Sequence, residues 1–309
     1  MIGIDVSKDK LDVHILKNNK HLVVANSING IKKLVKMLQK NKSLSMFVFE
    51  PTGCYSKELE VYCLNENLPY HKVHLNKVNY FAKSKVGHVK TDKIDAKILA
   101  QYAEQNNIEP ENDNSTTQIE RQELCSYMNE IKDRLAGLNA KAKCIYINGL
   151  VKKSIKKRIN QLKKEVELIK QELDKMIKED DDLASKHKIL ESISGVGKET
   201  ARLLVTGLPE LGKVSREAIS SLVGLAPYNR DSGKKSGYRR IIGGRFHIRK
   251  GLYMSALVAS RHNPRMKKIY QDLLGRGKKP KVALVAVMRK MLIMMNTMVK
   301  NNTPWVNEI

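Results

Sequence analysis

Ile2-Gly3-Ile4-Asp5-Val6, followed by Lys10 to Leu16 with Leu11, Val13 and Ile15 at alternate positions, decides how the chain begins. The first stretch is a short apolar strand with one acid inside it. The second suits a strand joined to the first by a hairpin. His21 to Ala25 extends the pattern to a third strand. Helical periodicity follows at Ile31, Leu34, Val35 and Leu38. Met46 to Phe49 reads as a buried strand that stops at Glu50-Pro51-Thr52-Gly53, a turn signal. Ser56 to Leu64 reads as a helix, Tyr70 to Leu75 as a strand and Lys93 to Ala103 as a helix. Three strands followed by alternating helix and strand predict a mixed sheet flanked by helices.

The middle of the chain changes period. Leu124, Met128, Ile131, Leu135, Leu138, Ala142 and Ile145 follow a 4-3 spacing, and so do Ile155, Ile159, Leu162, Val166, Ile169, Leu173 and Met176. Sustained heptads with charged flanks predict a coiled coil or a long helical hairpin. Asn148-Gly149 between them permits a turn, so the arms either fold on each other or pair with another subunit. A homo-oligomer, a dimer or a tetramer, is the expected assembly. The acidic run Glu179 to Asp182 reads as a solvated stop, because consecutive acids on a helix do not face one ion.

Charge and cysteine usage narrow the function classes. Lys plus Arg number 57 against 32 Asp plus Glu, a net +25 over 309 residues. Such a surplus favours a polyanionic partner, nucleic acid before membrane. Aromatic residues make up only 5%, so the cores should be built from Ile, Leu, Val and Met. Cys54, Cys63, Cys125 and Cys144 have neither CxxC nor Cys/His ligand spacing, which argues against a zinc knuckle or a disulfide scaffold. Met1-Ile2-Gly3 runs straight into the first strand, with no leader expected. The apolar run from Val282 to Val299 contains Arg289 and Lys290 and reads as a buried helix. A cytoplasmic protein with no membrane partner is expected.

The acids of the first part invite metal chemistry. Asp5 lies inside an apolar strand, where a carboxylate is costly to bury unless paired or bound to a cation. Glu50 ends a later strand. Asp92 and Asp95, three apart, share one face at the start of a helix. Hard oxygen ligands of this kind suit Mg²⁺ or Mn²⁺, and a pair of such ions about 4 Å apart supports phosphoryl transfer. Taken singly, each acid also fits a structural role: Thr91 or Asp92 as a helix cap, Glu50 as a turn residue, Asp95 as a surface acid.

Two features stand out nearer the end. Ile193-Ser194-Gly195-Val196-Gly197-Lys198 leads from apolar residues into a Gly-x-Gly turn and a helix start. This resembles a helix-hairpin-helix element, with Gly195, Gly197 and Lys198 placed to hold a phosphate. Further on, Asp231-Ser232-Gly233 is surrounded by Arg230, Lys234, Lys235, Arg239, Arg240, Arg245 and Arg249. A serine among cations can attack a phosphodiester while the cations offset developing charge. The residues alone leave open whether this loop is a nucleophile or a phosphate binder, and whether Ser232 or Ser236 is the relevant hydroxyl.

The blocks IGIDVSK, FEPTGCY and KTDKIDAKILA, with GLAPYNRDSGKKSGYRRIIGGRFHIRKGLYMSAL, resemble the DEDD class of insertion-sequence transposases and related site-specific DNA invertases. The resemblance spans nearly the whole chain. It implies an α/β ribonuclease H-like N-terminal domain, a long helical coiled-coil middle, and a mainly α C-terminal domain with the helix-hairpin-helix element. The expected boundaries are 1–112, 113–185 and 186–309. It implies a Mg²⁺ (or Mn²⁺) site at Asp5, Glu50, Asp92 and Asp95, and Ser232 as a nucleophile that forms a serine–phosphate bond with DNA. Some members use an element-encoded guide RNA, so RNA joins DNA as an expected partner. The competing readings are a metal-dependent structure-specific nuclease that uses only the carboxylates and water, and a non-enzymatic nucleic-acid-binding protein.

Overall fold

A computed structural model describes residues 1–73, 78, 80–82, 91–111, 115–228 and 239–306. The chain divides into two compact units, Met1–Ile119 and Glu120–Ile309.

The first unit is built on a five-stranded sheet: β1 (Ile2–Val6), β2 (Lys10–Ile15), β3 (Lys20–Ala25), β4 (Phe47–Phe49) and β5 (Tyr70–Lys72), in the order β3-β2-β1-β4-β5. β1, β2 and β3 run antiparallel, whereas β4 joins β1 and β5 joins β4 in parallel. The mixed sheet read from the hydrophobic pattern is therefore present. Its alternation sorts the two faces. Ile2, Ile4, Leu11, Val13, Phe47 and Phe49 point into one core with α1 (Ile28–Lys40) and α2 (Lys57–Asn65). Val48 points the other way, toward Ile98, Leu99 and Ala103 of α3 (Asp92–Gln105).

The seat of α3 is unusually close. A Cβ on Gly3 would lie 1.9 Å from the Ala96 carbonyl oxygen and 2.7 Å from the Ala100 amide nitrogen. Glycine on the strand and buried Ala96, Ala100 and Ala103 on the helix let the two backbones meet. Thr91 caps α3, its hydroxyl accepting from the Ile94 amide at 3.3 Å. Asp92 is thereby left out of capping and turns its carboxylate elsewhere.

In the second unit, α4 (Thr116–Lys141) and α5 (Gly149–Lys178) pack along their apolar seams. Met128, Ile131 and Leu135 meet Ile159, Leu162, Val166, Ile169 and Leu173. Tyr127 also donates to Glu165 at 2.7 Å. The seam differs from the heptad reading at both ends. α4 stops at Lys141, so Ile145 is not a seam residue but 98% exposed in the connection. At the far end Ile177, rather than Met176, is buried, and it joins the next core. A heptad template extends a stripe past the point where the partner helix ends. The acidic run does stop α5, with Glu179 as its C-cap, and it also starts the next helix: Asp180 caps α6 (Asp181–Glu191), accepting from the Leu183 amide at 3.1 Å.

The rest is helical: α7 (Lys198–Gly207), α8 (Arg216–Leu222), α9 (Phe246–His262), α10 (Pro264–Gly275) and α11 (Pro280–Lys300), with a short hairpin of β6 (Pro227–Tyr228) and β7 (Arg240–Ile241). α11 is long and apolar enough to cross a membrane by composition alone. Here it buries Leu284, Val287, Met288, Met291, Leu292 and Met295 in the unit's core.

Two glycines should respond oppositely to alanine. Gly3→Ala forces α3 off the sheet and should lower stability by about 3 kcal/mol. Gly137, exposed on α4 with open space around its Cα, should gain about 1 kcal/mol as alanine. Urea midpoints check both, and a neutral Gly3→Ala would contradict the close seat.

Candidate carboxylate site and basic loop

The hairpin register places Asp5 directly opposite Asp12. Opposed residues of an antiparallel pair project from the same face, and Gly3, the next residue of β1 on that face, lies against α3. Asp12 is 4% exposed and is held by two cationic or polar neighbours. Lys10 Nζ lies 3.0 Å from its Oδ2, and His21 Nε2 2.9 Å from its Oδ1. The same Lys10 ammonium donates to Asp92 Oδ2 at 2.7 Å. It therefore ties β2 to the first turn of α3, which carries both Asp92 and Asp95. Glu50 follows β4, the parallel neighbour of β1.

Asp5 registers this crowding. Its pKa is pushed from 3.8 to about 6, first by burial and then by the charges of Asp95, Asp92, Asp12 and Glu50. The other three acids singled out in the sequence, Glu50, Asp92 and Asp95, thus act on Asp5, along with Asp12. Lys10 is shifted upward by its bonds to Asp92 and Asp12. His14, also on β2, is 2% exposed with both ring nitrogens unpartnered. Burial and then Lys97 hold its pKa down.

Among the described residues no group of three or more His, Cys, Asp or Glu side chains is already arranged to hold a metal ion. The donor chemistry nevertheless fits a hard divalent cation: carboxylate oxygens around Asp5, whose pKa is raised by burial and then by these neighbours. Lys10 offsets part of this negative charge by bridging Asp12 and Asp92.

Asp12 was missed because the alternation Leu11-Val13-Ile15 makes its intervening positions look solvent-facing. The signal that finds it is register: the hairpin pairs Val6 with Leu11, so Asp5 must meet Asp12.

In the second unit, Ser232, Arg230, Lys234 and Lys235 lie outside the described residues. The residues that flank them in sequence are described. Tyr228 pairs with Arg240 across β6 and β7. Behind them the backbones of Gly224 and Gly243-Gly244 touch. A Cβ on Gly224 would stand 2.1 Å from the Gly243 carbonyl oxygen, and all three glycines have positive φ. Arg249 fastens this contact, donating to the carbonyls of Gly243 at 2.6 Å and Val223 at 3.1 Å. Arg245 is engaged in a two-pronged pair with Glu210, both contacts at 2.6 Å. Arg239 and Arg240 are exposed. Gly195, at φ +102, packs its backbone on Ala259, while Gly197 and Lys198 are exposed at the N-terminus of α7.

Known proteins match both units. A DEDD-type family model described as a transposase covers residues 2–145, and one described as the transposase IS116/IS110/IS902 family covers residues 187–271. The pilin gene-inverting proteins of Moraxella bovis and Moraxella lacunata are each 27% identical across 100% of this chain and 98% of their own. Both the α/β unit and the helical unit that follows thus fall under transposase models, which makes the chain a DNA transposase or recombinase. The chain belongs to the IS110-type transposase and recombinase family.

The shifted carboxyl fixes a pH response. The native fold holds the Asp5 proton more tightly than the unfolded chain, so that stability contribution is present below about pH 4 and is lost as pH rises through about 6. Asp5→Asn should therefore be more stable than the parent at about pH 8 and gain nothing at about pH 3.5. Urea midpoints at the two values decide it, and an equal shift at both would contradict the crowding.

Proposed function

We propose that this recombinase cuts and rejoins DNA through a serine–phosphate intermediate formed by Ser232, with Mg²⁺ or Mn²⁺ held by Asp5, Glu50, Asp92 and Asp95. The observation that carries the reading is the close seat of α3 on β1, which brings its first-turn acids Asp92 and Asp95 toward Asp5 and accompanies a raised Asp5 pKa. A cluster of like charges on a covered sheet face is unfavourable without a cation, and phosphoryl transfer is the chemistry such a cation serves. When bound, the metal neutralises charge that develops on the scissile phosphate. Lys10 and Asp12 are positioning residues here: they orient Asp92 and flank Asp5.

Ser232 Oγ forms a bond to phosphorus while one deoxyribose oxygen leaves with a proton. The bond energy stays in the phosphoserine, and a strand hydroxyl later displaces Oγ without hydrolysis. The Gly224–Gly244 contact fixes the backbone on either side of the serine segment in sequence, and exposed Arg239 and Arg240 supply positive charge. The α/β unit belongs to the ribonuclease H-like class in this reading, supported by its strand order and its mix of parallel and antiparallel pairs. The turn at Gly195 and Gly197 serves as the helix-hairpin-helix phosphate contact, with Lys198 beside it. An element-encoded RNA selects the DNA sites, and the active form is a homo-oligomer. The relatives named for gene inversion support a site-specific reaction.

A nicked duplex carrying a labelled end tests the nucleophile. The wild type should accumulate a covalent protein–DNA adduct that Ser232→Ala loses entirely while duplex binding persists. Cleavage retained in Ser232→Ala without an adduct would favour the carboxylate-only nuclease. The metal has a separate readout. Mn²⁺ at about a hundredfold excess over its Kd should stabilise the wild type by about 2.7 kcal/mol. Asp5→Asn combined with Asp95→Asn should abolish that gain, and a gain persisting in the double variant would place the ion elsewhere.

A further inference from the structure

The helical hairpin carries a charge asymmetry that the carboxylate site and the serine loop leave unused. From Arg134 to Lys164 there are ten Lys and Arg and no Asp or Glu. The cations are not scattered. At 3.6 residues per turn, Lys153, Lys156, Lys157 and Lys164 fall on the side of α5 opposite its seam residues Ile155, Ile159 and Leu162. With Asn160 and Gln161 they line a shallow groove of ≈ 410 Å³. The row extends for about 16 Å along the helix.

These four lysines are exposed, and among the described residues none makes an ion pair or hydrogen bond. The other end of α5 is different. Lys170 pairs with Glu199 at 3.0 Å and Asp174 with Arg202 at 2.6 Å. One helix is therefore neutralised near its C-terminus and left positive near its N-terminus. Lysines three and four apart repel one another on a helix. The fold tolerates that repulsion with no internal acid to relieve it, and an external polyanion would.

We propose that this face of α5 binds the phosphate backbone of duplex DNA, an inference that rests on reading the chain as a DNA recombinase. DNA is favoured over an anionic membrane because the continuous apolar stripe of α5 is taken up by its seam with α4, and the apolar residues it leaves exposed, Leu150, Val151 and Leu168, are separated along the helix and form no stripe that could insert. Lysines act as point charges toward phosphates and carry no base readout, so the contact is independent of sequence.

The test uses the full chain and a labelled random duplex of about 30 base pairs across a salt series. Replacing Lys153, Lys156, Lys157 and Lys164 together by glutamine should weaken binding at least tenfold at about 0.1 M salt. It should also reduce the slope of log K against log salt by about 3, near 0.9 per phosphate contact. The quadruple Lys→Arg variant should keep both. Circular dichroism and sedimentation mass should match the wild type, since the residues lie off the seam. Unchanged affinity and slope in the glutamine variant would overturn the assignment while the recombinase reading stands. A wild type that binds no duplex at all would remove the recombinase reading with it. Lysine-dependent capture by phosphatidylserine vesicles, or by a random transcript, with DNA binding unaltered would also overturn it.

Discussion

The contact between Gly3 and the first turns of α3 is the constraint from which the first unit's chemistry follows. A side chain on Gly3 would collide with the Ala96 carbonyl oxygen, so the helix lies directly on the strand. Asp5 is two residues further along β1, and Asp92 and Asp95 open the same helix. Close packing of two backbones therefore sets how near three carboxylates come. A bulkier residue at position 3 would widen the gap by more than an oxygen's radius, and the electrostatic coupling seen at Asp5 would fall with it.

That coupling explains why Lys10 sits where it does. Burying Asp12 at 4% exposure requires compensation, and His21 and Lys10 provide it. Lys10 is half exposed and long enough to reach Asp92 as well, so one ammonium serves two acids from different elements. Asp5 carries a raised pKa, first because it is half-buried and then because of the acids around it. The strain is thus concentrated on the carboxylate at the centre of the cluster, a distribution expected where a cation is to be bound.

Much of this was legible in the sequence, and the failures have physical causes. Strands at Ile2 and Lys10 and helices at Ile31 and Lys93 follow from period alone, because each has one apolar face. Asp5, Glu50, Asp92 and Asp95 could be named from motif resemblance, yet composition could not say which would interact. Asp12 escaped because period-2 alternation assigns every second residue to solvent, whereas α3 covers that side of the sheet. Ile145 was overread for the converse reason: a heptad match carries no information about where the partner helix stops. Thr91 and Asp92 were equal candidates for the cap, and the hydroxyl took it, which leaves the carboxylate for Lys10.

The cations divide by chemistry rather than by number. Arg245 and Arg249 looked like phosphate ligands in a basic stretch, but the first is engaged with Glu210 and the second with backbone carbonyls at the loop base. A planar guanidinium with several fixed donors suits that internal work, since it satisfies two or three acceptors at once. Lysine, a hydrated point charge on a flexible stem, can bridge acids as Lys10 does, but along the N-terminal half of α5 it stays exposed. A net charge of +25 therefore overstates the surface available to a polyanion in some places and hides its direction in others. Along the N-terminal half of α5 the positive field is carried by lysines that make no ion pair or hydrogen bond among the described residues, in a stretch with no acid to answer them.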